Sequence, residues 1–522
     1  MPSSVIDWRR ARGSLLALLL AALSATASAP AHAQPATLGR WSPVFDTQNV
    51  MIHASVLPNG KVLFWSRREA TEGLNPHQCQ PRLWDPAKGT GANAFSLTQN
   101  TPGYNLFCSG HAFLPDGRLL VAGGHLADTH GESHATIYDP QTNSWSAAGV
   151  VPVMNTGRWY PTATTLPDGS IVVMFGSDQT GNQSGKIQVF KDNAWRDLSN
   201  VTFNGAPYYP RLHVVGDGRV FMSGPLALTQ FLDTSGTGNW TPLSNRINNF
   251  RDYAPSVMYR ETPDDAGKIL HIGGGNGPTK AAEVLDLNQA TPTWKGVDDM
   301  HFPRRQHNAT ILPDGTVIVM GGTQGTHGNS KTAGFNDLTP GAPIRSADLW
   351  NPKTGHWTKL DKALVDRCYH SIALLLPDAT VLSAGGGEYS PSEDGVTPNP
   401  PQDTHKDAQI FSPPYLFQAD GSSAARPAIT TAPADVSYGQ AFAVGTAHPD
   451  QVGQVNWVSL GSVTHSFNMN QRFNKLKFAP GATSLSVTAP ATANLCPPGH
   501  YMLFVLNKAG VPSVARIIRI HP

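Results

Sequence analysis

Three side chains that could share one chemical site stand at the same distance from a repeated turn. Cys108, Tyr160 and His370 each lie six residues before the first residue of such a turn, in FCSGHAFLPDG, RWYPTATTLPDG and YHSIALLLPDA. Other copies of the turn have different residues at this offset: Met51, Tyr209 and Gln306. The fold therefore does not require a thiol or an imidazole there. Imidazole and phenolate ligands suit Cu(II), although each residue taken singly also fits ordinary packing in a core.

The turn belongs to a unit that recurs seven times, at spacings of about fifty residues. In each copy an apolar strand enters a tight turn of the Pro-Asp-Gly type, and a second apolar strand leaves it and ends in small residues. The seven turns begin at Leu57, Leu114, Leu166, Val215, Thr262, Leu312 and Leu376. An aromatic-Asp-Pro segment and a later tryptophan indicate two further strands in most units. This pattern resembles kelch repeats and predicts a seven-bladed β-propeller over residues 34–424.

Ring closure and the last hundred residues complete the predicted all-β architecture. The seventh unit has no tryptophan soon after its third strand, so we expect Trp41 to complete that blade and leave no long open edge. Residues 425–522 contain short alternating strands separated by turn signals, which predicts a separate immunoglobulin-like β-sandwich. The first strands of propeller blades converge on the axis. Cys108, Tyr160 and His370 are therefore expected to meet in one ring.

The N-terminus and the overall charge bear on location and partners. Three arginines between residues 9 and 12 precede the apolar run SLLALLLAALSA, and Ala31-His32-Ala33 offers a cleavage site, which predicts a signal peptide over residues 1–33. An uncleaved anchor is the alternative, and the paired arginines are compatible with twin-arginine export. We expect a secreted or periplasmic monomer without stable membrane insertion. Lys and Arg number 38 against 37 Asp and Glu, so no nucleic-acid partner is expected.

The cysteines are too few for a disulfide framework. Four are present, and none forms a CxxC or similar zinc-binding pair: Cys79, Cys108, Cys368 and Cys496. A bond between Cys79 and Cys496 is one option that the sequence leaves open. Cys368 is expected to be a buried thiol.

Several other conspicuous residues are expected to be structural. Trp294 stands where most units place a tryptophan, which indicates packing. The segment GGHLADTHGESH contains three histidines without tight ligand spacing, so they are read as loop residues and not as a second metal site: His125, His130 and His134. His111, three residues after Cys108, could line a pocket.

Several long motifs resemble the copper-radical oxidases, the galactose oxidase and glyoxal oxidase group. They are FCSG at 107, RWYP at 158, CYHSIALLLPD at 368, THSFNMNQR at 464 and PPGHYMLFVLNKAGVPSVA at 497. The resemblance covers nearly all of the chain that follows residue 33. It implies copper and a cofactor made from the protein's own side chains, and no nucleotide cofactor.

The resemblance also assigns roles to individual residues. It implies a thioether between Cys108 and Tyr160, copper ligation by Tyr160, His370 and His465, and an axial ligand, Tyr369, that serves as general base. Oxidising an alcohol removes two electrons. The metal would accept one and the tyrosyl radical the other, and O2 would then be reduced to hydrogen peroxide. A set of five such residues argues against the other class considered, a non-catalytic kelch binding or adhesion protein.

Three departures bear on the substrate. Galactose oxidases stack a tryptophan over the thioether where this chain has Asp178, and they bind sugar with an arginine that is missing after Gly321-Gly322. Their N-terminal carbohydrate-binding domain is also missing from this sequence. We therefore expect oxidation of small aldehydes, as hydrates, or of primary alcohols. A galactose-type alcohol oxidase is the alternative.

Overall fold

The computed structural model describes residues 35–69, 80–325, 336–387 and 404–522. The predicted signal peptide and Cys79 lie outside these ranges. The described chain is almost entirely β-structure. Its helical segments are one short α-helix and four single 3-10 turns: α1 (Pro35–Leu38), Pro86–Lys88, Ala92–Ala94, Pro414–Leu416 and Pro449–Gln451. None of the helices in these ranges has the length and apolar character needed to cross a membrane.

The strands of the repeat region are short, mostly four or five residues. In chain order they are β1 (Arg40–Trp41), β2 (Phe45–Asp46), β3 (His53–Val56), β4 (Val62–Trp65), β5 (Arg82–Trp84), β6 (Phe95–Leu97), β7 (Gly110–Phe113), β8 (Leu119–Ala122), β9 (His125–Ala127), β10 (His130–Gly131), β11 (Ala135–Asp139), β12 (Ser144–Trp145), β13 (Thr162–Thr165), β14 (Ile171–Met174), β15 (Ile187–Lys191), β16 (Ala194–Asp197), β17 (Arg211–Val214), β18 (Val220–Gly224), β19 (Leu228–Asp233), β20 (Asn239–Asn245), β21 (Ser256–Tyr259), β22 (Lys268–Ile272), β23 (Ala282–Asp286), β24 (Trp294–Val297), β25 (Asn308–Ile311), β26 (Val317–Met320), β27 (Ser346–Asn351), β28 (His356–Lys362), β29 (Ser371–Leu375), β30 (Val381–Gly385) and β31 (Asp407–Ser412).

The C-terminal strands follow after residue 434. They are β32 (Asp435–Ser437), β33 (Ala441–Gly445), β34 (Val452–Ser459), β35 (Ser462–Thr464), β36 (Phe467–Asn468), β37 (Phe473–Lys475), β38 (Lys477–Pro480), β39 (Ser484–Thr488), β40 (Gly499–Asn507) and β41 (Arg516–His521).

In the described part of the chain, the repeat region supplies seven sheets of four or more strands. Five of them consist of strands from one repeat: β7-β8-β11-β12, β13 to β16, β17 to β20, β21 to β24, and β25 to β28. A sixth contains β29, β30 and β31, and a seventh contains β3 to β6. Neighbouring sheets touch through their first strands, since β7, β13 and β17 lie side by side, as do β21, β25, β29 and β3.

The sixth sheet joins the two ends of the repeat region. β1 pairs with β31, so that Trp41 lies opposite Phe411, and β2 pairs with the same strand. The rings of Trp41 and Phe411 are 4.9 Å apart. The strand that the seventh repeat lacks is thus supplied by the N-terminal segment, as the sequence predicts.

The repeated turn has a definite chemical basis, seen at residues 114–118. The Leu114 N–H donates to the carbonyl of Arg118 at 2.8 Å, and the Asp116 carboxylate accepts the Arg118 N–H at 3.0 Å. Gly117 has φ +90°, a left-handed conformation that a side chain would strain. The strands β7 and β8, which this turn connects, are buried at every position. They pack on both faces, so their sequences lack the polar alternation of a half-exposed strand.

The C-terminal region forms two further sheets with a core of their own. One is ordered β32-β41-β40-β34-β37 and the other β33-β39-β38. Their shared interior contains Val444, Trp457, Val487 and Leu503. β35 leaves this region and pairs with β3, with Thr464 opposite His53. That pairing carries the segment 462–468 into the repeat region, where it reaches the site described below.

Candidate active site

Five of the six residues at the common offset, all but Met51, share an unusual backbone conformation. Their φ angles are positive, in the left-handed region that non-glycine residues seldom occupy: Cys108 (62°), Tyr160 (66°), Tyr209 (43°), Gln306 (60°) and His370 (66°). Backbone hydrogen bonds link neighbouring positions. The Tyr160 N–H donates to the carbonyl of Cys108 at 2.8 Å, and the Tyr209 N–H donates to that of Tyr160 at 2.8 Å. In five of the six counted repeats the offset therefore marks a position held in the same strained conformation.

Tyr160, Tyr369, His370 and His465 come together although they are far apart in the sequence. The phenol oxygens of Tyr160 and Tyr369 are in direct hydrogen-bond contact, and His465 Nε2 lies 3.0 Å from the Tyr160 hydroxyl. The imidazole rings of His370 and His465 are 4.7 Å apart. Two phenols and two imidazoles therefore surround one point, and one of the four, His465, is supplied by the C-terminal region.

Hydrogen bonds at the far side of each imidazole determine its tautomer. His370 Nδ1 lies 3.1 Å from the Gly387 carbonyl, which can only accept, so Nδ1 carries the proton. The Thr464 hydroxyl donates to the Ile52 carbonyl and so accepts from His465 Nδ1 at 2.6 Å. In the neutral form of each ring Nε2 is then the unprotonated nitrogen, and that of His465 faces Tyr160. Fixing a ligating histidine by its second nitrogen is typical of metal sites.

The donor chemistry fits a copper ion. Burial lowers the pKa of His465 well below its usual value, and the neighbouring His370 lowers it further, so the ring is neutral. Burial also raises the pKa of the Tyr160 phenol well above its usual value. A phenolate here needs a cation beside it, which a bound metal supplies. Among the described residues, no group of three or more His, Cys, Asp or Glu side chains is placed to hold a metal. The mixed imidazole–phenol set is the candidate.

Cys108 lies next to this group. It is fully buried and belongs to the same apolar cluster as Tyr160, together with Trp159, Tyr209 and Phe467. A negative charge on the Cys108 sulfur would raise the pKa of Tyr160 further, which reflects how near the two side chains are. The structure thus brings together all five residues that the sequence singles out.

Known proteins with similar sequences and folds point the same way. Galactose oxidase of Gibberella zeae is 30% identical, and the match covers 92% of this chain and 71% of that protein. The chain belongs to the copper-radical oxidase family. The aldehyde oxidase GLOX of Vitis pseudoreticulata is 29% identical, covering 80% of this chain and 82% of that protein. The family model "Galactose oxidase-like, Early set domain" matches residues 426–520.

A solved structure supports this assignment. A fungal alcohol oxidase of the AA5 family, in complex with copper, superposes with a TM-score of 0.78 at 27% identity, over 93% of this chain and all of that one. The protein is therefore a copper-dependent oxidase.

This copper-radical oxidase has a tryptophan stacked on Tyr160, at a position that the sequence pattern does not indicate. Trp159 stacks on Tyr160 with ring centroids 3.7 Å apart and planes inclined by 8°. Its Nε1–H donates to His125 Nδ1 at 3.3 Å. Asp178, which stands where galactose oxidases have their tryptophan, instead closes a turn by accepting the N–H of Thr180 at 2.8 Å. His125, expected to be a loop residue, is a buried support for the indole.

The left-handed residues explain why neighbours in sequence share one site. Side chains of successive residues in an extended strand point to opposite faces. At Trp159-Tyr160 and Tyr369-His370, the second residue has φ 66°, and the two rings stack at 3.7 Å in both pairs. The bent entry that Tyr369 and His370 require is thus a left-handed residue just before β29.

Tyr209, which shares the common offset in the next repeat, packs against Tyr160. Its ring lies 4.6 Å from that of Tyr160 with planes inclined by 29°. Trp159 and Tyr209 cannot both stack so closely on one face without overlapping, so they cover opposite faces. The Tyr209 hydroxyl donates to the carbonyl of Ser109 at 3.1 Å, which fixes the ring.

A pocket of about 340 Å³ opens beside Tyr160 and His465. Its remaining walls are Gln183, Gly205, Pro207, Tyr208, Tyr209, Arg211, Pro225, Leu226, Phe250, Asp252 and Tyr253. Tyr253, from the irregular fifth repeat, has φ 49° and contacts the Tyr369 ring edge-on at 5.7 Å. Arg305 donates to the Asp252 carboxylate at 2.7 Å, so this wall residue is ion-paired. Most of the other wall residues are apolar.

Proposed function

We propose that this protein is a secreted or periplasmic, monomeric copper-radical oxidase. It would oxidise small aldehydes, as hydrates, or primary alcohols with O2 and release hydrogen peroxide. The seven sheets would be the blades of a propeller, and the C-terminal region an immunoglobulin-like sandwich. The observation that carries the proposal is the convergence of Tyr160, Tyr369, His370 and His465 beside Cys108.

Each residue of the site would have a separate task. Bound copper, held by Tyr160, Tyr369, His370 and His465, would supply a one-electron acceptor. Tyr369 is the least buried of these four, and it would take the hydroxyl proton of the substrate. Tyr160, joined to Cys108, would accept a hydrogen atom from the substrate carbon. An alcohol thus becomes an aldehyde and an aldehyde hydrate a carboxylic acid, each with reduction of one O2 to hydrogen peroxide.

The pocket walls favour substrates with few hydroxyl groups. Pro207, Pro225, Leu226 and Phe250 line it, and no arginine follows Gly321-Gly322. A sugar hydroxyl placed against these four side chains would lose its hydrogen bonds to water without replacing them. The named relatives include both aldehyde and alcohol oxidases, which supports the same substrate classes.

A galactose-type alcohol oxidase is the second candidate, because the relative with 92% coverage is named galactose oxidase. A peroxide-release assay on the copper-loaded protein separates the two. We expect activity on small aldehydes or primary alcohols to exceed that on galactose. A Cys108→Ser variant should lose at least about tenfold, or about 1.4 kcal/mol of barrier lowering. Activity chiefly on galactose would refute the substrate assignment, and full activity of the variant would refute the thioether.

A further inference from the structure

A chain of hydrogen bonds that the proposed reaction does not use begins at the backbone N–H of Cys108. The backbone N–H of Cys108 donates to His53 Nε2 at 3.0 Å, and His53 Nδ1 lies 3.2 Å from His111 Nε2. His111 Nδ1 in turn is hydrogen-bonded to the Ser462 hydroxyl. Both histidines are fully buried. Each of the four ring nitrogens therefore takes part in a hydrogen bond.

The direction of donation follows from the two ends of the chain. An amide N–H can only donate, so His53 Nε2 is the acceptor and Nδ1 carries the proton. The Ser462 hydroxyl donates to the carbonyl of His111 at 3.2 Å and so accepts from His111 Nδ1. Burial holds the pKa of His53 well below its usual value and lowers that of His111 to about 3. Both rings are neutral, with one donor and one acceptor each.

This chain joins the two parts of the site that come from different regions. His53 lies in β3 opposite Thr464, whose hydroxyl fixes the ligand His465. Ser462 lies in β35, two residues before Thr464, and its hydroxyl also meets that of Ser55 at 2.9 Å. A displacement of β35 would therefore also move His53, whose Nε2 accepts the hydrogen bond from the Cys108 backbone N–H.

Cys108 needs such an acceptor because its backbone is strained. Its φ of 62° is unfavourable for a residue with a side chain, and such a conformation persists only where the surroundings fix it. We propose that His53, His111 and Ser462 are positioning residues that hold Cys108 in this conformation, so that its sulfur meets the Tyr160 ring. This inference rests on the proposed Cys108–Tyr160 thioether.

The step that the chain would assist can be written in full. A bond forms between the Cys108 sulfur and a ring carbon of Tyr160, while the S–H and one ring C–H bond are lost. Two protons and two electrons leave the protein, and O2 accepts them as hydrogen peroxide. The positioning residues exchange neither proton nor electron in this step. They affect only how often the sulfur lies within reach of the ring.

The test measures thioether formation by intact mass, after copper is added in air to protein purified without metal. We expect His53→Leu, which has no acceptor for the Cys108 N–H, to bind one copper but to form the thioether at least tenfold more slowly. His53→Gln, which restores an acceptor and a donor, should recover to within about threefold of the parent rate. His213→Leu is the matched control, because His213 is also buried and its Nε2 lies 2.8 Å from the Ser256 hydroxyl, so that its hydrogen bond does not involve Cys108.

Each outcome decides for or against the proposal. Equal rates in the His53→Leu variant, the His213→Leu variant and the parent protein would overturn it, as would loss of copper binding in His53→Leu. If His53→Leu does not fold, His111→Leu carries the test, because His53 then loses the acceptor that fixes its tautomer. A parent rate in His111→Leu would likewise overturn the proposal. If the parent protein itself forms no thioether, the proposed function fails and not the positioning role alone.

Discussion

Replacing Trp159 tests whether the indole stabilises the oxidised form of Tyr160. An oxidised phenol ring is electron-poor, and the Trp159 face lies parallel to it at 3.7 Å. Aromatic pairs in proteins contribute about 0.5–1.5 kcal/mol beyond the area they bury. If that contribution acts on the oxidised form alone, its loss raises the one-electron potential of Tyr160 by about 20–65 mV, since a tenfold change in equilibrium constant is about 59 mV for one electron. Trp159→Ala should therefore have the higher potential and a shorter-lived radical.

The assay is a redox titration of the copper-loaded protein, followed by the absorbance of the tyrosyl radical. Trp159→Phe keeps a stacked ring and loses only the hydrogen bond to His125, so its potential should stay within about 20 mV of the parent value. Trp195→Ala removes a tryptophan on an outer strand and controls for general destabilisation. The reasoning is wrong if Trp159→Ala and the control have the same potential and radical lifetime as the parent protein.

Three further predictions concern the ligands and the pocket. His465→Ala should lower copper affinity at least tenfold, or about 1.4 kcal/mol, measured by competition with a chelator, while His213→Ala should leave it unchanged. Copper affinity should rise with pH between about 5 and 8. The lowered pKa of His465 leaves that ring neutral there, whereas burial raises the pKa of Tyr160, so the Tyr160 proton must leave on binding; a pH-independent affinity in calorimetry would contradict this. Phe250→Ala should raise KM for apolar alcohols more than for formaldehyde hydrate, because Phe250 lines the pocket and the hydrate has no apolar chain to pack against its ring; equal changes would contradict the assigned pocket.

The repeat explains why so much of the site could be predicted from the sequence. A turn of fixed chemistry sets the start of each first strand, so counting back from it locates Cys108, Tyr160 and His370 without any tertiary information. The same repeat shows that the last unit lacks a strand, which Trp41 supplies. Tyr369 and His465 do not follow from the count, and only the family resemblance indicated them.

The remaining residues around the site could not be predicted from the sequence, for specific physical reasons. Trp159 adjoins Tyr160, and alternation along a strand places neighbours on opposite faces; the left-handed φ of Tyr160 reverses this. Tyr253 belongs to the repeat whose turn is too irregular for the count. His53 and His111 lie within strands, and their partner Ser462 is some 350 residues away from His111, so no local pattern connects them.

Peptide mapping after copper loading in air tests the proposed thioether between Cys108 and Tyr160. We expect one cross-linked species that contains residues 108 and 160 and weighs two hydrogen atoms less than the sum of its two peptides. The cross-link should be absent from the Cys108→Ser variant and from protein kept without copper. Two separate peptides of full mass from the copper-loaded, active parent protein would contradict the account.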